Sequence, residues 1–239
     1  MDNQQYLKDP NLILKRKAID IHERLSVWIN LIKDEVTELV IRNYVFNDFL
    51  QSCQKDTKIT STTNIFFDTL KYNHFNSQII SINRLIEDDQ KVISMIRLLN
   101  FLFRNPDIYT YTKYADLQRK FRPNFVDIEI NKSMIAEYHE LYGNSSLDTT
   151  KLQSDINKII SIKDVFNKPR NIKIAHLERN LKYHFEIKQS ELSNAIDDLE
   201  FITCKYYQLI TGSYFTDWKL MPSITYDWRK IYTEIANIY

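Results

Sequence analysis

An all-α fold, an up-and-down bundle of about four to six long helices with a short C-terminal extension, is predicted by two features of this chain. Only two glycines occur in 239 residues. Glycine supplies the backbone angles of tight hairpin turns, so a β-rich fold lacks its turn residues. Apolar residues also recur at steps of three and four over long stretches, the period of a helix face. The length suits one large domain or a domain with an appendage. A composition of 44% hydrophobic and 26% charged residues is that of an ordinary soluble globular protein.

The first helix is expected from about Asn11 to Gln51. Leu14, Ala18, Ile21, Leu25, Trp28, Ile32, Val36 and Leu39 form one stripe along it. The near-heptad spacing suits a coiled-coil seam, but no matching partner helix stands out, which favours a core-facing bundle helix. Lys55 to Lys58 and the run Thr60-Ser-Thr-Thr mark a break with a cap for the next helix. That helix should span about Thr62 to Leu85. A third, from about Asp89 to Arg104, is apolar at nearly every position between Val92 and Phe103, as a central helix is. Arg84 with Glu87 and Asp88 is expected in a polar knot at the junction, buried and bonded to nearby acids.

Asn105-Pro106 ends the third helix, because proline cannot readily continue it. Residues 107–124 mix Tyr109, Tyr111, Tyr114, Arg119, Lys120, Phe121 and Arg122 in what reads as an irregular segment. Aromatics interleaved with cations suit single-stranded RNA; with 15 Tyr and 13 Phe in the chain, ordinary packing explains them too. A fourth helix is expected from about Val126 to Tyr142, stopped by Gly143-Asn-Ser-Ser, and a fifth from about Asp148 to Asn167. Ser190 is expected to cap a last helix that reaches Thr211 and is closed by Gly212. Residues 213–239 carry Trp218 and Trp228 and form an aromatic-rich extension.

Two lone cysteines, Cys53 and Cys204, fit reduced core residues. The N-terminal stretch has no secretion-signal pattern, and no apolar run approaches a membrane span of roughly 20 residues. Both point to a cytoplasmic protein. Gly-rich phosphate loops are excluded by glycine scarcity. No His-Glu-x-x-His, cysteine pair or clustered Asp motif offers a metal site, and no cofactor is expected. The formal net charge is only +1, yet residues 151–189 hold nine Lys or Arg against four acids. By itself such a run reads as a solvated helix face; its coincidence with Arg170 and His176 raises the phosphate-binding reading.

The stretch Asp164-Val-Phe-Asn-Lys-Pro-Arg-Asn-Ile-Lys-Ile-Ala-His-Leu-Glu178 concentrates the chemistry. Arg170 is a permanent cation, Asn171 an orienting amide, and His176 a base that titrates near neutrality; together they can handle a phosphodiester. Pro169 suits the first residue of a helix, where its fixed φ helps and its missing N–H costs nothing. A purely structural account also exists, with Arg170 paired to Asp164 or Glu178 and His176 a satisfied core histidine.

The form Arg170-Asn171-x-x-x-Ala175-His176 resembles the signature of the HEPN superfamily, and most closely its AbiU-like, abortive-infection branch. The segment Arg-Leu-Ile-Glu-Asp at 84–88, followed by an Ile/Leu-rich helix, agrees with it. The resemblance spans about residues 15 to 210, its specific part being 164–178. It implies a HEPN-like helical bundle over 1–212 with residues 213–239 packed on it. It further implies a metal-independent endoribonuclease, a toxin in phage defence or growth arrest, acting on single-stranded RNA as a homodimer, with an antitoxin or other defence partner. Arg170, Asn171 and His176 are then the catalytic residues, and Lys168, Lys173, Arg179, Lys182 and His184 the expected RNA contacts. Family members that bind without cutting leave the alternative of a helical module for RNA, nucleotide or a protein partner.

Two other pairs fit the Arg-to-His spacing. Arg16 to His22 lacks the Asn, whereas Arg179-Asn180 to His184 includes it. The Ile-Ala-His ending and the preceding proline favour Arg170 and His176. Six helical steps place those two side chains about 120° apart around one axis. A flat helix face cannot present both, and a composite cleft between two protomers relieves the difficulty.

Overall fold

The computed structural model describes residues 10–55, 64–121, 128–169 and 187–213. These residues form helices α1 (Pro10–Lys55), α2 (Asn64–Ile86), α3 (Met95–Arg104), α4 (Tyr111–Phe121), α5 (Ile128–Leu141), α6 (Thr149–Pro169) and α7 (Gln189–Thr211), with one 3-10 turn at Pro106–Ile108. No strand occurs among them. The fold is the all-α bundle that glycine scarcity and the helical stripes predict.

Four long helices, α1, α2, α6 and α7, make the frame. Neighbours run antiparallel, as pairs along each contact show. Phe46 of α1 stacks on His74 of α2, while Glu35 meets Arg84 further down. Asn47 bonds Gln189 at the start of α7, while Lys33 lies over Tyr207 near its end. Asp155 of α6 bonds Lys205 of α7, and Lys158 lies over Phe201. The shared core holds Leu25, Ile29, Ile32, Val36 and Leu39 from α1, Ile79 and Ile82 from α2, Ile156 and Ile159 from α6, and Leu192, Ile196 and Leu199 from α7. From Ile21 to Leu39 the expected α1 stripe is therefore the core face; the side chains of Leu14 and Ala18 lie outside the described residues.

Helix α3 starts at Met95, later than Asp89. Ser94 is extended (φ −144°, ψ 161°), its hydroxyl accepting from the Arg97 N–H and donating to the Glu87 carbonyl. A capping serine and a turn closed by Val92 N–H on Asp89 C=O use up the residues expected to be helical. Met95, Ile96, Leu98, Leu99 and Leu102 are buried, while Arg97 stays half-exposed with its guanidinium 5.1 Å from the Trp28 ring. Arg84 departs from expectation: it is exposed and forms a 3.6 Å ion pair with Glu35. Its long side chain spans from α2 to α1 at the surface and leaves the guanidinium in water.

Residues 111–121 are helical, not irregular. Tyr109 and Tyr114 belong to a buried layer with Tyr138, Tyr142 and Tyr206, so packing is the role of these tyrosines. Each hydroxyl finds a partner, as buried phenols need. Tyr138 donates to the Tyr109 carbonyl at 2.7 Å, Tyr142 to the Lys205 carbonyl at 2.7 Å, and Tyr206 to Asp155 at 2.8 Å. The Gln208 amide donates to Tyr114 Oη at 2.7 Å.

Both glycines stand at helix ends with positive φ, 132° at Gly143 and 76° at Gly212. Gly212 caps α7 in the left-handed region, its N–H bonding the Gln208 carbonyl at 2.9 Å. The α7 N-cap is Lys188, not Ser190; the Glu191 carboxylate reaches back to the Lys188 N–H at 2.8 Å. Glu191, the third residue of the helix, thus satisfies the N–H of the N-cap residue, and Ser190 lies inside the helix.

Candidate functional site

Arg170, Asn171, Lys173, His176, Arg179, Lys182 and His184 lie outside the described residues, as does the side chain of Lys168. In sequence the residues from Arg170 to His184 fall between α6 and α7, and Lys168 is in the last turn described for α6. Pro169, expected as the first residue of a helix, belongs to α6 as described, Thr149–Pro169. Having no N–H, it gives the Val165 carbonyl no helical donor.

The two helices that flank this stretch are held at defined points. Near the end of α6, the Phe166 carbonyl accepts from the Asn83 amide of α2 at 3.4 Å. Further back, Asp155 accepts from Lys205 at 2.6 Å and from Tyr206 at 2.8 Å. Burial and the neighbouring Asp155 push the Tyr206 phenol well above its ordinary range, so it remains a donor. At the first residue of α7, Gln189 Nε2 donates to Asn43 Oδ1 at 3.1 Å and to Asn47 Oδ1 at 2.9 Å. Asn43 Nδ2 in turn donates to Ser193 Oγ at 3.3 Å. Gln189 Oε1 is buried with no hydrogen-bond partner.

A cleft of about 340 Å³ opens beside this amide cluster, between α1 and α7. Asn43, Tyr44, Asn47 and Asp48 line one wall, Ser193 and Asp197 the other. Sequence reading did not single these residues out. A signal existed at Asn43, a buried polar residue on the continuation of the apolar α1 stripe. Gln189, its partner, is 146 residues away, and nothing local connects the two.

The basic run of 151–189 divides. Lys151 donates to the carbonyls of His139 and Glu140 at the end of α5. Lys158 stacks over Phe201, and Lys163 lines a surface hollow with Glu87, Asp88 and Asp89. These three lysines serve the packing and solvation of α6 itself.

The rival His22 is half-buried, its Nδ1 2.9 Å from Tyr109 Oη. Burial, with Lys113 and Lys120 nearby, holds it below the ordinary histidine range. It is a satisfied histidine of the core edge. His74 stacks on Phe46 with ring centroids 3.8 Å apart and is pushed down to about 4 by burial and then by Arg42. Cys204 is half-buried and free; burial, with Glu200, raises its thiol to about 11, which makes it a packing residue. Cys53 has its side chain outside the described residues.

Among the described residues, no group of three or more His, Cys, Asp and Glu side chains is placed to hold a metal ion. No described helix is long and apolar enough to cross a membrane. Comparison with protein-family models, curated proteins and solved structures finds no match.

Proposed function

We propose that this chain is a metal-independent endoribonuclease of HEPN type that cuts single-stranded RNA in phage defence or growth arrest, through a site composed by two protomers. The Arg170-Asn171…His176 signature carries the reading. The all-helical architecture supports it, as does the structural role of His22, which removes one of the two competing Arg–His pairs.

In this reaction neutral His176 takes the proton from a ribose 2′-hydroxyl. The 2′-oxygen attacks the adjacent phosphorus and the bond to the 5′-oxygen breaks. Arg170 stabilises the charge that develops on the phosphate oxygens. Asn171 orients the hydroxyl or a phosphate oxygen. The products are a 2′,3′-cyclic phosphate and a free 5′-hydroxyl.

RNA cleavage in EDTA by the wild type, His176→Ala and Arg170→Ala proteins tests this. The wild type should cut and leave 2′,3′-cyclic ends, while both variants should lose activity. Sedimentation should give a dimer at micromolar concentration; a fully active monomer contradicts the composite site. If chelated wild type binds RNA and cuts none, the chain is a binding module.

A further inference from the structure

We infer that Arg24, Arg97 and Arg104, set around the Trp28 and Phe101 rings where α1 meets α3, form a track for the phosphates of single-stranded RNA. The inference rests on the ribonuclease reading for its ligand and on the open guanidinium groups for its chemistry.

Trp28 and Phe101 are half-buried and pack on the core, so their rings are held in place. The Arg24 guanidinium lies 5.1 Å from the Trp28 ring centroid and 5.3 Å from that of Phe101. Arg97 reaches the same Trp28 ring from α3, also at 5.1 Å. The ring faces attract both cations and steady their planes, which leaves the N–H edges for acceptors. Arg104 follows Arg97 two turns later on the same face of α3.

These cations have no acid of their own. Six arginine side chains are described, and three of them form ion pairs: Arg42 with Glu38, Arg84 with Glu35 and Arg119 with Asp116. The remaining three are Arg24, Arg97 and Arg104. Among the described residues, Arg24 and Arg104 are exposed and make neither an ion pair nor a hydrogen bond. Arg97 uses Nη1 on the Val92 carbonyl and makes no other hydrogen bond. Two guanidinium groups over one ring repel each other, and an anion at their edges offsets that cost. Glu87, Asp88 and Asp89, in the turn before α3, bound the track beyond Arg97 and set its course towards Arg104.

A phosphodiester strand suits such a row, because it carries one anion per nucleotide and each guanidinium can fork onto two phosphate oxygens. Contacts of this kind position the strand and carry no base preference.

Fluorescence anisotropy with 2′-O-methyl octacytidine and 2′-O-methyl octauridine tests the track without cleavage, since neither has a free 2′-hydroxyl. Arg24→Gln should weaken both ligands alike by about fivefold in 0.1 M salt, the share of one released counterion. The slope of log affinity against log salt should fall by about 0.7 in Arg24→Gln and again when Arg97→Gln is added. Arg84→Gln removes the same charge from an exposed arginine paired with Glu35 and should change neither quantity. Arg24 has no hydrogen bond to give up, so the test stands on Arg24→Gln alone if Arg97→Gln does not fold. An unchanged slope in Arg24→Gln, an equal loss in Arg84→Gln, or a loss that differs between the two bases overturns the track. Poly-L-glutamate bound more tightly than either oligonucleotide assigns the surface to an acidic protein and also overturns it. RNA cleavage in EDTA with an unchanged slope in Arg24→Gln removes the track and leaves the ribonuclease. A slope lost in Arg24→Gln, in a protein that cuts no RNA, keeps the track and removes the ribonuclease.

Discussion

Lys205 Nζ lies 2.6 Å from Asp155 Oδ2, both side chains almost wholly buried where α6 meets α7. Tyr206 Oη donates to the same carboxylate oxygen at 2.8 Å. Removing one partner strands a charge in the interior, whereas removing both can be nearly neutral. Asp155→Leu should therefore destabilise the fold by about 3 kcal/mol or more. Asp155→Leu with Lys205→Met should recover a large part of that loss. Urea denaturation of the single and double variants measures both; a double variant as weak as the single contradicts the desolvation argument.

His74 gives a pH dependence. Its folded pKa is about 4 against an ordinary 6.5, because burial and then Arg42 disfavour the charged ring. The folded chain thus binds fewer protons than the unfolded chain between those values. The contribution is intact above pH 6.5 and is lost as pH falls toward 4. His22, lowered by burial, acts in the same direction. His74→Phe keeps an aromatic ring against Phe46 and removes the titration. Thermal unfolding at pH 7 and pH 4.5 should show the variant losing less stability than the wild type; equal losses contradict the assignment.

Gly212 has φ +76°, and a Cβ there would stand 2.9 Å from the Leu117 carbonyl carbon and oxygen. The left-handed conformation costs a side chain about 1–2 kcal/mol by itself. The close backbone of α4 adds to it, because neither atom belongs to a flexible side chain. Gly212→Ala should lower the unfolding free energy by about 2 kcal/mol or more, above the left-handed penalty alone. A loss well under 1 kcal/mol in urea would mean that α4 and α7 separate readily.

The frame was legible in the sequence because its signals are local. The α1 stripe, the Asn105-Pro106 stop and the Gly143 and Gly212 ends each depend on residues a few positions apart. Helix α4 was hidden because its buried positions include Tyr114 and Gln118, whose polar atoms disguise an inward face. Ser190 falls inside α7 because the helix starts one residue earlier, at Gln189, with Glu191 holding the N–H of the N-cap Lys188. Chemistry split along the same line. The Arg170–His176 signature is a local pattern, readable from a few residues. The Asn43–Asn47–Gln189 cluster arises only when α1 and α7 pack together.

The signature leaves one rival pair in sequence, Arg179-Asn180…His184, and the effects of substitution separate the two. With His176 as general base, another group must protonate the leaving 5′-oxygen. In a dimer the second protomer's His176 serves, so the rate should be bell-shaped about neutrality. His176→Ala should lose catalysis in the transition state and flatten that profile. Arg170→Ala should weaken phosphate binding as well, raising KM while lowering kcat. His22→Ala should leave the cleavage rate nearly intact and lower stability, since it gives up the bond to Tyr109 Oη. His184→Ala should change the rate little. Cleavage that survives His176→Ala and disappears in His184→Ala transfers the catalytic role to the Arg179-Asn180…His184 pair.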